Sequence, residues 1–167
     1  MPSTAPSIRS SQAVELPQMT SDRELVRRFV QGGSQLPVHV TTNPLACALN
    51  LVLVAARVQP ARVVLHCDPL PLFVQGAGVL QGGALSAVMD FAMAFAAMCT
   101  LDDVETAATI TLDIAFLRPA PIGRYEAIGE ILRKGKTIIF AHAQMQPAGH
   151  SEPVATAAST LAVVRAR

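Results

Sequence analysis

The only long helical signal in this chain is an apolar run of 16 residues, Ala84 to Cys99, with one carboxylate, Asp90, near its middle. Leu85, Val88, Ala92, Phe95 and Cys99 recur at three- and four-residue steps, which puts them on one face broad enough to lie against a sheet. The run is too short and too charged to cross a membrane. A second face, Gly83, Ser86, Ala87, Asp90, Ala94 and Ala97, carries small side chains apart from the acid. No cation stands one turn from Asp90 on either side, so the carboxylate is solvated, paired across an interface, or partly desolvated. A solvated or purely structural acid is the plainer of these alternatives. The spacing predicts a helix from about Gly83 to Thr100.

What flanks this helix limits the fold further. Ser21-Asp22-Arg23-Glu24 has capping-box spacing ahead of Leu25, Val26 and Phe29, and Gly32-Gly33 ends that short helix. Asn43-Pro44 can cap a second helical turn. Leu49 to Val58 and Ala61 to Cys67 are β-rich runs around Gln59-Pro60, a hairpin pattern, followed by a loop from Asp68 to Leu80. Beyond the long helix come four strand-like runs: Glu105 to Leu117, Gly123 to Arg133, Thr137 to Gln146 and Glu152 to Val164. Pro119-Ala120-Pro121, Lys134-Gly135-Lys136 and Ala148-Gly149-His150 punctuate them. The order β-β-α-β-β-β-β has no βαβ alternation, so the expected class is α+β, a mainly antiparallel sheet with one embedded helix. Residues 1–19, polar and broken by Pro2, Pro6 and Pro17, are expected to be a disordered tail, and residues 20–167 a single domain.

Composition excludes several partners. Hydrophobic residues make up 51% of the chain and charged residues 15%, a balance that favours a surface covered in an oligomer. With 13 basic against 12 acidic residues, 4% aromatics and no Trp, neither a basic stripe nor a stacking platform for nucleic acid is present. Cys47, Cys67 and Cys99 are odd in number and lack CxxC spacing, so they read as buried reduced thiols and not as a metal site. His39, His66, His142 and His150 have no Ser or Cys at a spacing that suggests a triad. The first 20 residues lack a continuous apolar segment, which makes a cytoplasmic location the default expectation.

Gly82-Gly83, just ahead of the helix, has two readings. A glycine pair there is often only a tight turn. It can also leave bare N–H donors at a helix N-terminus, where developing negative charge is favoured. Asp90 follows Gly82 by eight positions, a rise of about 12 Å in a helix. If both groups serve one small reacting centre, the second must come from another subunit. A twofold dimer crossing these helices antiparallel would supply it twice.

Gln81-Gly82-Gly83, then six residues, then Asp90, resembles the His-Gly-Gly…Asp pattern of the hotdog-fold acyl-CoA thioesterases of the phenylacetate-pathway (PaaI-like) type. Thr109 to Ala120, ending in Phe116-Leu117-Arg118-Pro119-Ala120, is similar to that family's "fLRPA" strand. Gly123, Arg133-Lys134-Gly135-Lys136 and Val154-Ala155-Thr156-Ala157 extend the likeness over about residues 45–164. The resemblance implies a hotdog fold, a curved antiparallel sheet wrapped around one long central helix. It also implies dimers, and tetramers built as dimers of dimers. The implied activity is hydrolysis of an acyl-CoA thioester to free acid and coenzyme A, with no metal or bound cofactor.

By the same resemblance the Gly82 N–H polarises the thioester carbonyl, with the Gln75 carboxamide where the family often has Asn. Asp90 activates water or attacks the carbonyl itself, and Thr109 stands where some members carry a water-binding Ser. Gln81 and Gly83 border the substrate, and Gln81 departs from the family's His. Arg118, Lys134 and Lys136 are either solvated or meet the phosphates of coenzyme A. Met89, Met93 and Phe95 would line part of the acyl pocket. Two rivals remain beside the hydrolase: a hotdog protein that binds acyl-CoA without turnover, and a hotdog hydratase or dehydratase, which usually needs a His.

Overall fold

The chain forms one antiparallel sheet of seven strands, and its spatial order follows from where the long helix interrupts the sequence. The computed structural model describes residues 21–32 and 37–165; the tail expected over residues 1–19 lies outside them. Helix α1 (Asp22–Val30) starts where the capping spacing predicts, the Ser21 hydroxyl accepting the Glu24 amide at 3.2 Å. Strand β1 (Val38–His39) precedes α2 (Pro44–Ala48), which the Asn43 side chain caps by accepting the Ala46 amide at 2.9 Å. Then follow β2 (Val52–Val58), β3 (Ala61–Cys67), a 3-10 turn (Pro71–Phe73) and the central helix α3 (Gly82–Met98). Strands β4 (Glu105–Phe116), β5 (Tyr125–Lys134), β6 (Ile138–Pro147) and β7 (Ala155–Arg165) complete the domain.

The strands lie in the order β1-β2-β3-β5-β6-β7-β4, every neighbour antiparallel. The α+β arrangement expected from the sequence is therefore observed, with three local differences. Strand β2 begins at Val52 and not at Leu49, because Leu49 closes α2 and Asn50 takes φ 48°. Strand β1 and the 3-10 turn were not expected; elements of two and three residues are too short to carry a period.

Sheet register explains how α3 is held. One row across the concave face reads Val63, Gly129, Ala143, Ala157 and Ile114 on successive strands. Larger side chains at its two ends and the smallest in the middle make a trough. At its floor a Cβ on Gly129 would lie 2.3 Å from the Ala92 carbonyl oxygen, so the strand and helix backbones meet almost directly. Glycine inside a strand costs about 0.5–1 kcal/mol. Full burial of a side chain such as Leu, Val or Phe returns about 1.5–3 kcal/mol each. The close approach buries Leu85, Val88 and Phe95, so it is strongly favourable in net terms.

Packing corrects some residue-level expectations. Ala97 is fully buried and does not belong to the open face of α3. Met89, Met93 and Phe95 are buried to 0% exposure in the protomer's own core, against the sheet, and do not line a pocket. Of the three thiols, Cys67 and Cys99 are buried as expected but Cys47 is exposed, because it falls on the outer side of the five-residue α2. Burial pushes the Cys67 and Cys99 thiols up to about 12, the neighbouring Asp68 adding to the effect at Cys67. Among the described residues no helix is long and apolar enough to cross a membrane.

Candidate active site

The N-terminus of α3 is fixed by hydrogen bonds from a loop and a strand end. The Leu80 amide donates to the Ala120 carbonyl at 2.7 Å, and the Gln81 amide donates to the Phe73 carbonyl at 2.7 Å. The Gln81 carbonyl accepts the Ala84 and Leu85 amides and starts the helix. Among the described residues, the Gly82 and Gly83 amides donate to no protein acceptor. The Ser86 hydroxyl donates back to the Gly82 carbonyl at 2.9 Å, so it competes for neither amide. Two free N–H groups at the positive end of a 17-residue helix favour a partly negative oxygen.

Gly82 borders a cavity of about 460 Å³. Gln75 reaches it from a tight turn closed by two bonds, Gln75 amide to Val79 carbonyl and Gly78 amide to Gln75 carbonyl, each 2.9 Å. The turn needs its glycine, since Gly78 has φ 76°. Val79, Leu80 and Leu85 make the walls apolar, and Phe116 and Arg118 complete the rim. The Phe116 ring lies over Gly82: a Cβ there would be 2.9 Å from the ring's Cζ. The absence of a side chain at Gly82 thus leaves room for the ring above it. Phe116 belongs to the matched strand pattern, but the sequence gives no sign of its place over Gly82, which lies 34 positions earlier.

Asp90 and Thr109 form a second group. The Thr109 hydroxyl donates to Asp90 Oδ1 at 2.8 Å, joining β4 to the open face of α3. Asp90 is half-buried and Thr109 exposed, so the free carboxylate oxygen is accessible. Phe116 follows Thr109 by seven positions, an odd offset that would put them on opposite faces of a regular strand. A bulge between Thr109 and Thr111 leaves Ile110 unpaired and restores both to the helix side. Phe91, which the small-residue pattern did not single out, shares the open face and meets Phe95 edge-on at 5.9 Å.

Other expected site residues scatter. Gln81 and Gly83 are exposed beside Gly82. Arg118 borders the cavity and pairs with Glu152. The Lys134 ammonium donates to the Thr100 carbonyl just past the far end of α3, about 25 Å from Gly82 along the helix, and Lys136 is exposed nearby. His66 and His142 pair with Glu126 and Glu130 across the central strands β3, β5 and β6, and no His lines the cavity at Gly82. Among the described residues no cluster of three or more His, Cys, Asp or Glu is placed to hold a metal.

Comparison with known proteins gives this geometry its context. The sequence profile of the thioesterase superfamily matches residues 77–153, from the Gln75 turn to the end of the β6–β7 connection. A Saccharolobus solfataricus protein bearing an esterase name is 31% identical over 90 residues, 54% of this chain. The chain spans 64% of that relative's length. A solved structure from Ralstonia eutropha, titled as a thioesterase related to phenylacetic acid degradation, superposes with a TM-score of 0.70 at 26% identity. That match covers 82% of this chain and 98% of the other. A thioesterase family protein from Silicibacter pomeroyi shares the fold with a TM-score of 0.71 at 24% identity, over 84% of this chain and 99% of that one.

Proposed function

We propose that the chain, a hotdog fold whose residues 77–153 match the thioesterase superfamily, hydrolyses an acyl-CoA thioester to a free acid and coenzyme A. The observation that carries the reading is the unsatisfied Gly82 amide, at the N-terminus of α3, beside a cavity that Gln75 also lines. An oxyanion formed from the carbonyl would accept the Gly82 amide, with Gln75 as a second donor. Asp90 would act on the carbonyl carbon as general base toward water or as nucleophile, and Thr109 would orient its carboxylate.

One protomer does not bring these two groups to one carbonyl, because Gly82 and Asp90 stand about 12 Å apart along α3. The proposed enzyme is therefore a homodimer, and as a dimer of dimers a tetramer, with Asp90 and Thr109 of one subunit facing the Gly82 cavity of the other. Two features support this. Among the described residues, strand β4 is a sheet edge of 12 residues paired on one side only, with Ile110 54% exposed. The adjoining face of α3 (Gly83, Ser86, Ala87, Asp90 and Ala94) is small enough for close helix contact.

A panel of short-chain, aromatic and long-chain acyl-CoAs with a chromogenic thiol reagent tests the reading. It is run on Cys47→Ser protein, since Cys47 is the exposed thiol. Thiol release is expected, and Asp90→Asn should lower it by about 10²–10⁴-fold with fold and oligomer unchanged. Saturable binding without release across the panel would make the protein a binding module instead.

A further inference from the structure

Among the described residues, the two free amides at the start of α3 stand in unlike surroundings. Gly83 is exposed, with open space around the position its Cβ would take. Gly82 is half-buried, and the Phe116 ring lies against it: three ring atoms fall 2.9, 3.2 and 3.4 Å from where a Cβ would stand. The ring and Gly82 line the same cavity, together with Leu80 and Leu85. The backbone that carries the ring is clamped. Phe116 pairs with Ala155 at the end of β4, and the Leu117 and Arg118 amides both donate to the Val154 carbonyl, at 2.8 and 3.2 Å. Four residues after the ring, the Ala120 carbonyl accepts the Leu80 amide just ahead of the helix. One short segment, 116–120, thus fixes the ring and the helix start together. The ring itself is 53% exposed and lies outside the protomer's core, so replacing it should spare the fold.

We infer that the Phe116 ring is an apolar screen beside the oxyanion donor, a positioning residue that singles out the Gly82 amide from its neighbour. The inference rests on the reading of the Gly82 cavity as the thioester site. A hydrogen bond to developing negative charge is stronger where water is kept out, because the local dielectric is lower. Around Gly83 water competes freely. Around Gly82 the ring and the Leu80 and Leu85 side chains replace part of that water with carbon. The ring offers no oxygen or nitrogen of its own, so it leaves the amide to the substrate's carbonyl oxygen. That oxygen meets Gly82 in the drier surroundings, and the Gly83 amide stays with solvent.

The test is amide exchange with water, read by NMR at Gly82 and Gly83, in the wild type and in Phe116→Leu, Phe116→Gln and Phe116→Ala. Leucine keeps an apolar cover, glutamine keeps the bulk but brings water, and alanine removes both. Exchange at Gly82 should be slower than at Gly83 in the wild type and stay slow with leucine. With alanine and glutamine it should rise toward the Gly83 rate. Kinetics on an acyl-CoA that the wild type cleaves should follow the same order. Alanine and glutamine should lower kcat roughly tenfold, less than loss of the donor itself, while KM holds. Gly82 exchange indifferent to Phe116→Ala, or leucine and glutamine behaving alike, would overturn the screen. So would the expected exchange order with kcat unchanged. Exchange needs no substrate, so the expected order without any thiol release would sink the hydrolase reading alone. Thiol release with exchange unmoved would sink this inference alone.

Discussion

Gly82 does two things that no other residue type combines: it offers a backbone donor with nothing in front of it, and it leaves room for the Phe116 ring. The two can be separated. Gly82 is the first residue of α3, a position where proline is accepted because its missing N–H is unused by the helix. Gly82→Ala keeps the amide and only pushes aside an exposed ring. Gly82→Pro presents a similar Cβ and deletes the donor. Steady-state kinetics should find the proline variant about 10²–10³-fold below the alanine variant in kcat, the usual cost of one oxyanion donor. Equal activity of the two would remove this amide from the chemistry. Gly82 and Asp90 could be named as candidates beforehand because they sit at a fixed offset within one element, and Thr109 by resemblance to the family's strand pattern. Phe116 and Phe91 could not be given roles that way, since what they touch depends on tertiary packing. Cys47 misled for a related reason: thiols are usually buried, but a five-residue helix has an outer side.

At the level of elements, the α3 pattern predicted its sheet-facing stripe, and Leu85, Val88, Ala92, Phe95 and Cys99 are all buried. Nothing along the sequence marked which strand residue would receive the helix. Gly129 does so only because β5 lies at the floor of the trough, and strand neighbours are a matter of sheet order. Gly129→Ala would drive a methyl group into the Ala92 carbonyl, a backbone obstacle that cannot rotate away. It should destabilise the domain by about 3 kcal/mol or more, read as a lowered denaturant midpoint. Gly123→Ala, with open space around its Cβ, should leave that midpoint nearly unchanged. The β4 bulge was equally hidden: a run of alternating residues does not reveal where one is left unpaired, yet the bulge turns Thr109 toward Asp90.

On the scale of the whole molecule, the Gly82 cavity and the Asp90–Thr109 pair lie along α3 and β4, which among the described residues is a sheet edge, and the proposed reaction centre joins one from each of two subunits. A chain with 51% hydrophobic and 15% charged residues has reason to cover that side, and in the proposed dimer a second copy would cover it while completing the chemistry. Subunit mixing tests this most directly. Asp90→Asn and Gly82→Pro proteins, each inactive alone, are unfolded together, refolded at equal concentrations and assayed against an acyl-CoA that the wild type cleaves. Random pairing makes half the dimers mixed, each with one intact site of two, so about a quarter of wild-type activity should return. A mixture as inactive as its parents, in dimers shown by light scattering to have exchanged, would contradict a reaction centre built from two chains.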